Sequence, residues 1–112
     1  MNMTRAEIKA MVKSIGLPCA YYEFQKNTPQ VPPYVVWIFG RNTDVMADDE
    51  NYVDKEILGI ELYTKYRDFE QEAAVEAVLK SYGFAYSKEP NFIESEQIWQ
   101  IAYESEVIID GE

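Results

Sequence analysis

The chain has 112 residues, with ten basic against twenty acidic side chains, a formal net charge of −10 and no histidine. That length fits one domain, and that charge repels a phosphate backbone, which excludes direct nucleic-acid binding and favours basic partners. One cysteine, Cys19, excludes an intramolecular disulfide, and without histidine no Ser-His-Asp or Cys-His constellation can form.

Thr4-Arg-Ala-Glu7 has the form of a capping box, in which the Thr hydroxyl accepts from the third helical N–H and Glu7 reaches back. Ile8, Met11, Val12 and Ile15 follow at i, i+3, i+4 and i+7, one face of a helix. Gly16 suits the position after a helix, and Pro18 stops continuation, so the first helix is predicted over 4–15. Cys19–Phe24, short and aromatic, reads as a strand, and the apolar setting of Cys19 reads as that of a buried, inert thiol. A polar, Pro-bearing connection over 25–33 leads to Tyr34–Gly40, a β-branched and aromatic run read as a central strand buried on both faces.

An acidic link then carries Asp44, Asp48, Asp49, Glu50 and Asp54. Connections are usually about 4–6 residues long, and longer ones tend to be functional or disordered. Strand character resumes over Tyr52–Thr64, with Leu58, Ile60 and Leu62 on one side. Asp68 can cap a second helix with Gln71 at the reciprocal position, and Val75, Val78, Leu79 and Tyr82 form its apolar stripe until Gly83 ends it. The acids of Asp68-Phe-Glu70-Gln-Glu72 read as ordinary dipole stabilisation of a helix N-terminus.

Phe84–Lys88 is strand-like, and Glu89-Pro-Asn91 interrupts it as a turn or a bulge. Phe92–Glu94 and Ile98–Ile109 complete the β material, the last run placing Trp99, Ile101, Tyr103, Val107 and Ile109 on one face. The predicted fold is therefore a single α+β domain over 1–112. It has a mainly antiparallel sheet of four to five strands with two helices packed on one face, in the order α-β-β-β-α-β-β.

The chain offers little chemistry. Its five glycines sit apart, so no phosphate loop exists, and one cysteine cannot hold zinc. Asp44-Val-Met-Ala-Asp48 lacks the alternation and central Gly of a calcium loop. Glu94 with Glu96, and Glu104 with Glu106, are same-face pairs on regular strands, but an acidic chain always offers such pairs, and a solvated strand face is the simpler reading. Arg5, Arg41 and Arg67 are scattered and read as surface ion-pair partners. Nine tyrosines and two tryptophans exceed what a core needs and suit an interface. No signal peptide precedes the first helix and no apolar run approaches the ~20 residues of a membrane helix, so synthesis in the cytoplasm is the expectation.

One ordering stands out. An amphipathic first helix is followed by Tyr22-Glu-Phe24, Pro32-Pro-Tyr34-Val-Val, the acidic Ala47-Asp-Asp-Glu-Asn-Tyr52, Ile60-Glu-Leu-Tyr-Thr64, Asp68-Phe-Glu70, and Phe92-Ile-Glu94-Ser-Glu96 before the last strand. Over nearly the whole chain this resembles the tail terminator, or tail-completion, group of minor tail proteins from long non-contractile-tailed phages and prophages. The resemblance implies a structural protein without catalysis or cofactor, found in the virion tail and assembled in the bacterial host cytoplasm. It implies a ring, usually a hexamer, that caps the tail tube and joins it to the head. The partners implied are further copies of the chain, the major tail tube protein and the head–tail connector protein, with DNA only in passage through the channel and no membrane. Head-closure and other minor tail components fit the same residues.

Six copies would carry about −60 formal charges, whose placement must be managed. The expectation is that the 42–51 segment faces the lumen or a neighbouring subunit, with Asp44, Asp48, Asp49, Glu50, Asn51 and Tyr52 as the candidate assembly loop. Ring formation unaltered by replacing Asp48, Asp49 and Glu50 with Ala would return that segment to a solvated loop. The alternative function is an acidic, monomeric or dimeric inhibitor that binds proteins by mimicking DNA.

Overall fold

The structure is a computed structural model that describes residues 2–24, 30–40 and 55–109. The elements run β1 (Asn2–Met3), α1 (Arg5–Lys13), β2 (Cys19–Tyr21), β3 (Tyr34–Phe39), β4 (Lys55–Thr64), α2 (Phe69–Ser81), β5 (Ser87–Ile93) and β6 (Ile98–Ile109). Local chemistry sets the helix ends. Thr4 Oγ1 accepts from the Glu7 N–H at 3.1 Å while Glu7 Oε1 accepts from the Thr4 N–H at 2.9 Å, a closed capping box. Asp68 Oδ1 accepts from the Gln71 N–H at 3.1 Å at the start of α2. Gly16 and Gly83 take positive φ just beyond the two helices, where a Cβ would be strained.

The sheet corrects the expected architecture. Among the described residues it has six strands in the order β1-β6-β4-β3-β2, with β5 also paired to β6, and it is mixed and curled into a half-barrel rather than mainly antiparallel with four or five strands. Two pairings are parallel, β1 with β6 and β2 with β3. The reason for the second lies in the connection. Residues 22–33 separate β2 from β3, the dozen or so residues a parallel crossover needs, so the chain returns to run alongside rather than turning back as a hairpin. β1 has only two residues, too few for any periodicity, and joins through its register, Asn2 opposite Ile108 and Met3 opposite Ile109.

β5 supplies a second correction. It runs unbroken through Pro90, which stands opposite Ile101. An edge strand tolerates proline because the missing N–H can face away from the partner. β6 is the hub, paired along one side with β4 and along the other with β5 and then β1.

One core lies between the sheet and both helices. Ile8, Met11 and Val12 from α1 and Val75 and Leu79 from α2 meet Val35 and Trp37 of β3, Leu58, Ile60 and Leu62 of β4, and Ile101, Tyr103, Val107 and Ile109 of β6. Each fully buried aliphatic side chain contributes roughly 1.5–3 kcal/mol. Among the described residues, no helix is long and apolar enough to cross a membrane.

Candidate functional site

The candidate assembly loop, Asp44, Asp48, Asp49, Glu50, Asn51 and Tyr52, lies outside the described residues. Glu94 and Glu96 sit in the exposed turn between β5 and β6, where Gln97 at φ 55 reverses the chain and its Nε2 donates to the Glu94 carbonyl at 2.9 Å. Glu104 and Glu106 lie on the face of β6 that points away from the core, opposite Gly59 and Ile57 of β4. Cys19 is a free thiol, half-buried against the core rather than fully enclosed.

The richest polar cluster forms where α2 begins. Glu72 falls on the same helical face as Val75 and Leu79, and its position on that stripe carries it to 1% exposure. A carboxylate so buried needs partners. Arg67 donates through Nε to Glu72 Oε2 at 2.9 Å and through Nη2 to Oε1 at 3.1 Å, and Lys88 Nζ stands 3.0 Å from Oε1. Lys88 also reaches Glu76 Oε2 at 2.6 Å, and the Tyr103 hydroxyl donates to the same oxygen at 2.8 Å.

Burial pushes the Glu72 carboxyl up, but the hydrogen bonds from Arg67 and Lys88 outweigh it and hold the group below its ordinary value. Glu76 behaves alike: burial raises it, and hydrogen bonds from Lys88 and Tyr103 carry it lower. Burial works to lower Lys88, and its bonds to Glu76 and Glu72 reverse the direction. Burial first, and then the Glu76 carboxylate, push the Tyr103 hydroxyl far above its usual range.

Over this network lies a surface of rings. The Arg67 guanidinium sits 4.8 Å from the Phe69 ring centre and 5.3 Å from that of Trp99, and Phe92 packs on Trp99 at 5.3 Å. Register explains the last pair, because Phe92 stands directly opposite Trp99 across the β5–β6 ladder. Phe69 is 66% exposed and Phe92 42% exposed. An arginine held between aromatic rings at the surface has the composition of an interface anchor. The salt bridge to Glu72 fixes the guanidinium in place, so little rotamer entropy remains to be lost on binding.

The face of the sheet away from the helices has different chemistry. A hydrogen-bond chain crosses three strands: Asn91 Nδ2 donates to Gln100 Oε1 at 3.3 Å, Gln100 Nε2 to the Tyr63 oxygen at 2.9 Å, and the Tyr63 hydroxyl to Glu61 Oε1 at 2.8 Å. Glu61, Glu89, Glu104 and Glu106 all belong to this face by register. One side of the domain thus presents aromatic rings around a cation, and the other presents Glu89, Glu104 and Glu106, with Glu61 buried beneath the Tyr63 hydroxyl.

Among the described residues, no group of three or more His, Cys, Asp or Glu side chains is placed to hold a metal. The polar groups of the α2 cluster are spent on one another, and what lies outward of them is the ring of Phe69, Trp99 and Phe92 around Arg67. Sequence reading missed this cluster by treating Arg67 as a scattered surface charge and Glu72 as a helix-dipole acid. The signal that could have found it is the spacing of Glu72 with Val75 and Leu79, which places an acid on an apolar stripe. Compared with protein-family models, with curated proteins and with solved structures, the chain finds no match.

Proposed function

We propose that this chain is a structural phage tail protein of the tail terminator type, which forms a ring on the tail tube and joins it to the head connector. The observation that carries the reading is the pair of unlike surfaces: Arg67 with Phe69, Trp99 and Phe92 on one side of the domain, and a carboxylate-bearing sheet face on the other. A subunit that contacts different neighbours through different faces builds heterologous assemblies, which are rings where the rotation closes. The residues from Tyr22-Glu-Phe24 to Phe92-Ile-Glu94-Ser-Glu96 that resemble tail terminators support the same reading. In it the chain performs no catalysis and takes no cofactor, and its partners are further copies, the tube protein and the connector. The acid-bearing face discourages DNA from sticking as it passes.

Electron microscopy of particles assembled without this protein tests the proposal. Overlong tubes without attached heads are expected, and tubes of normal length would overturn it. The carboxylates of Glu89, Glu104 and Glu106 also favour a second reading, an inhibitor that imitates DNA. That reading requires the purified chain to displace DNA from a DNA-binding protein.

A further inference from the structure

A second site lies on the same helix-bearing face of the sheet as the arginine–aromatic surface, at the opposite end of the strands. Arg5 and Lys9, one turn apart on the exposed side of α1, stand with Tyr21, Trp37 and Phe39 around an open cleft of about 370 Å³. The floor is aromatic. Tyr21 meets Trp37 edge-on at 5.7 Å and Phe39 at 5.9 Å, and the Arg5 guanidinium is 5.8 Å from the Phe39 ring centre. The Tyr21 oxygen accepts from the Phe39 N–H at 3.2 Å, which leaves its own proton to donate outward. Beyond Tyr21 the chain turns sharply. Tyr22 takes φ 71, and the Glu23 N–H bonds back to the Tyr21 carbonyl at 2.7 Å. Left-handed backbone at a bulky residue is strained and persists where the surroundings enforce it.

A paired cation cleft with an aromatic floor is out of character for a chain of net charge −10. What it fits is a carboxylate-bearing turn. The chain has one at its far corner. Glu94 and Glu96 both stand exposed in the β5–β6 turn, beside the exposed Phe92 ring. The register shows why the two cannot meet within one molecule. The cleft lies on the β2–β3 edge, at the end where Phe39 pairs Leu58. The turn lies on the β5–β6 edge, at the end where Thr64 pairs Trp99. Six residues separate the two ends by roughly 20 Å along the strands, and at its own end the turn leans over the sheet, where Glu96 lines a pocket with Tyr34 and Lys65.

We propose that the cleft formed by Arg5, Lys9, Tyr21, Trp37 and Phe39 receives the Glu94–Gln97 turn of a second copy of this chain, making a head-to-tail contact between subunits. The proposal rests on the ring reading above and names the surfaces that build the ring. Opposite-corner placement is what such a contact requires, because each copy then offers one donor and one acceptor that it cannot satisfy itself. Glu94 and Glu96 meet Arg5 and Lys9 over the aromatic floor.

Sedimentation equilibrium of the full chain, over a concentration series at low and high salt, tests this with charge-swapped variants. The wild type is expected to self-associate, less tightly at high salt. R5E/K9E and E94K/E96K are each expected to weaken self-association by about 100-fold, and mixing the two variants restores association between them. All four positions are exposed and Glu suits the first turn of a helix, and circular dichroism verifies that each variant is folded. A wild type that stays monomeric at every concentration overturns the contact, and so does an R5E/K9E variant that associates as tightly as the wild type. Two monomeric variants that fail to associate when mixed also overturn it, and point to an acidic element of another protein as the occupant. Overlong tubes in particles lacking the protein, alongside any of these failures, would leave the terminator reading standing and remove only this contact.

Discussion

Arg67 grips Glu72 with two hydrogen bonds, Nε to Oε2 at 2.9 Å and Nη2 to Oε1 at 3.1 Å, while Lys88 approaches the same carboxylate from β5 at 3.0 Å. The acid is buried, but both cations keep about a third of their side-chain surface in water. The pair is therefore asymmetric: the cations can be resolvated if Glu72 is lost, and Glu72 cannot be if they are. Either cation alone still satisfies the carboxylate. Arg67→Ala and Lys88→Ala are each expected to cost about 1.5 kcal/mol. The double variant is expected to cost about 3–5 kcal/mol, because it strands a buried charge. Urea unfolding of the four proteins measures the cycle, and simple additivity would show that the two cations act independently.

The same network sets the response to pH. Glu72 and Glu76 titrate lower in the folded chain than in the unfolded one. Their contribution is thus fully present above the ordinary carboxylate value of 4.5 and is lost as pH falls through the depressed folded values. Lys88 and Tyr103 titrate higher when folded, so their contribution is present below their ordinary values of 10.5 and 10.0 and fades as pH rises past them. Thermal unfolding as a function of pH is expected to show a plateau with two falling shoulders. Glu72→Gln with Glu76→Gln should flatten the acid shoulder; an unchanged shoulder would assign it to other carboxylates.

The ring surface around Arg67 separates binding from stability. Phe69 and Phe92 are both exposed, so Phe69→Ala with Phe92→Ala is expected to shift stability by no more than about 0.5 kcal/mol for each residue. The same variant is expected to lose joining of tails to heads, scored as the fraction of complete particles by electron microscopy. Full joining by a stably folded variant would remove this surface from the assembly.

Pro90 guards an edge. Among the described residues β5 pairs only with β6, and its outer side would offer ladder donors to a neighbouring strand. Pro90→Val restores one N–H at an exposed position and keeps an apolar side chain opposite Ile101. The variant is expected to unfold within about 1 kcal/mol of the wild type but to aggregate at lower concentration, followed by light scattering. Equal solubility would show that the edge is protected in some other way.

These features differ in how far the sequence reveals them. Thr4, Glu7 and Asp68 announce their helices because capping is written within four residues. Leu58, Ile60 and Leu62 announce a buried strand face because their period is local. Strand direction is not local: whether β3 runs with or against β2 depends on the path of residues 22–33, and Asn2 and Met3 become a strand only because Ile108 and Ile109 lie beside them. Pro90 misleads because its effect depends on whether the strand is central or marginal, which no window of sequence contains. The α2 cluster was half legible. Glu72 lies visibly on the apolar stripe, but Lys88 meets it only through the pairing of β5 with β6 opposite Tyr103. The Arg5 and Lys9 cleft has the same character, since its floor comes from β2 and β3.

β6 touches β1, β4 and β5, and it supplies Ile101, Tyr103, Val107 and Ile109 to the core. It is also the last of these elements to leave the ribosome. Until Ile98–Ile109 has been synthesised, α1 and α2 have only part of the surface they pack on, and β1 and β5 have no strand to join. The domain therefore cannot close until β6 has emerged, and the growing chain exposes its apolar residues until then. Forced overproduction would fill the cell with unfinished chains, so yield should respond to the supply of chaperones that shelter nascent polypeptide.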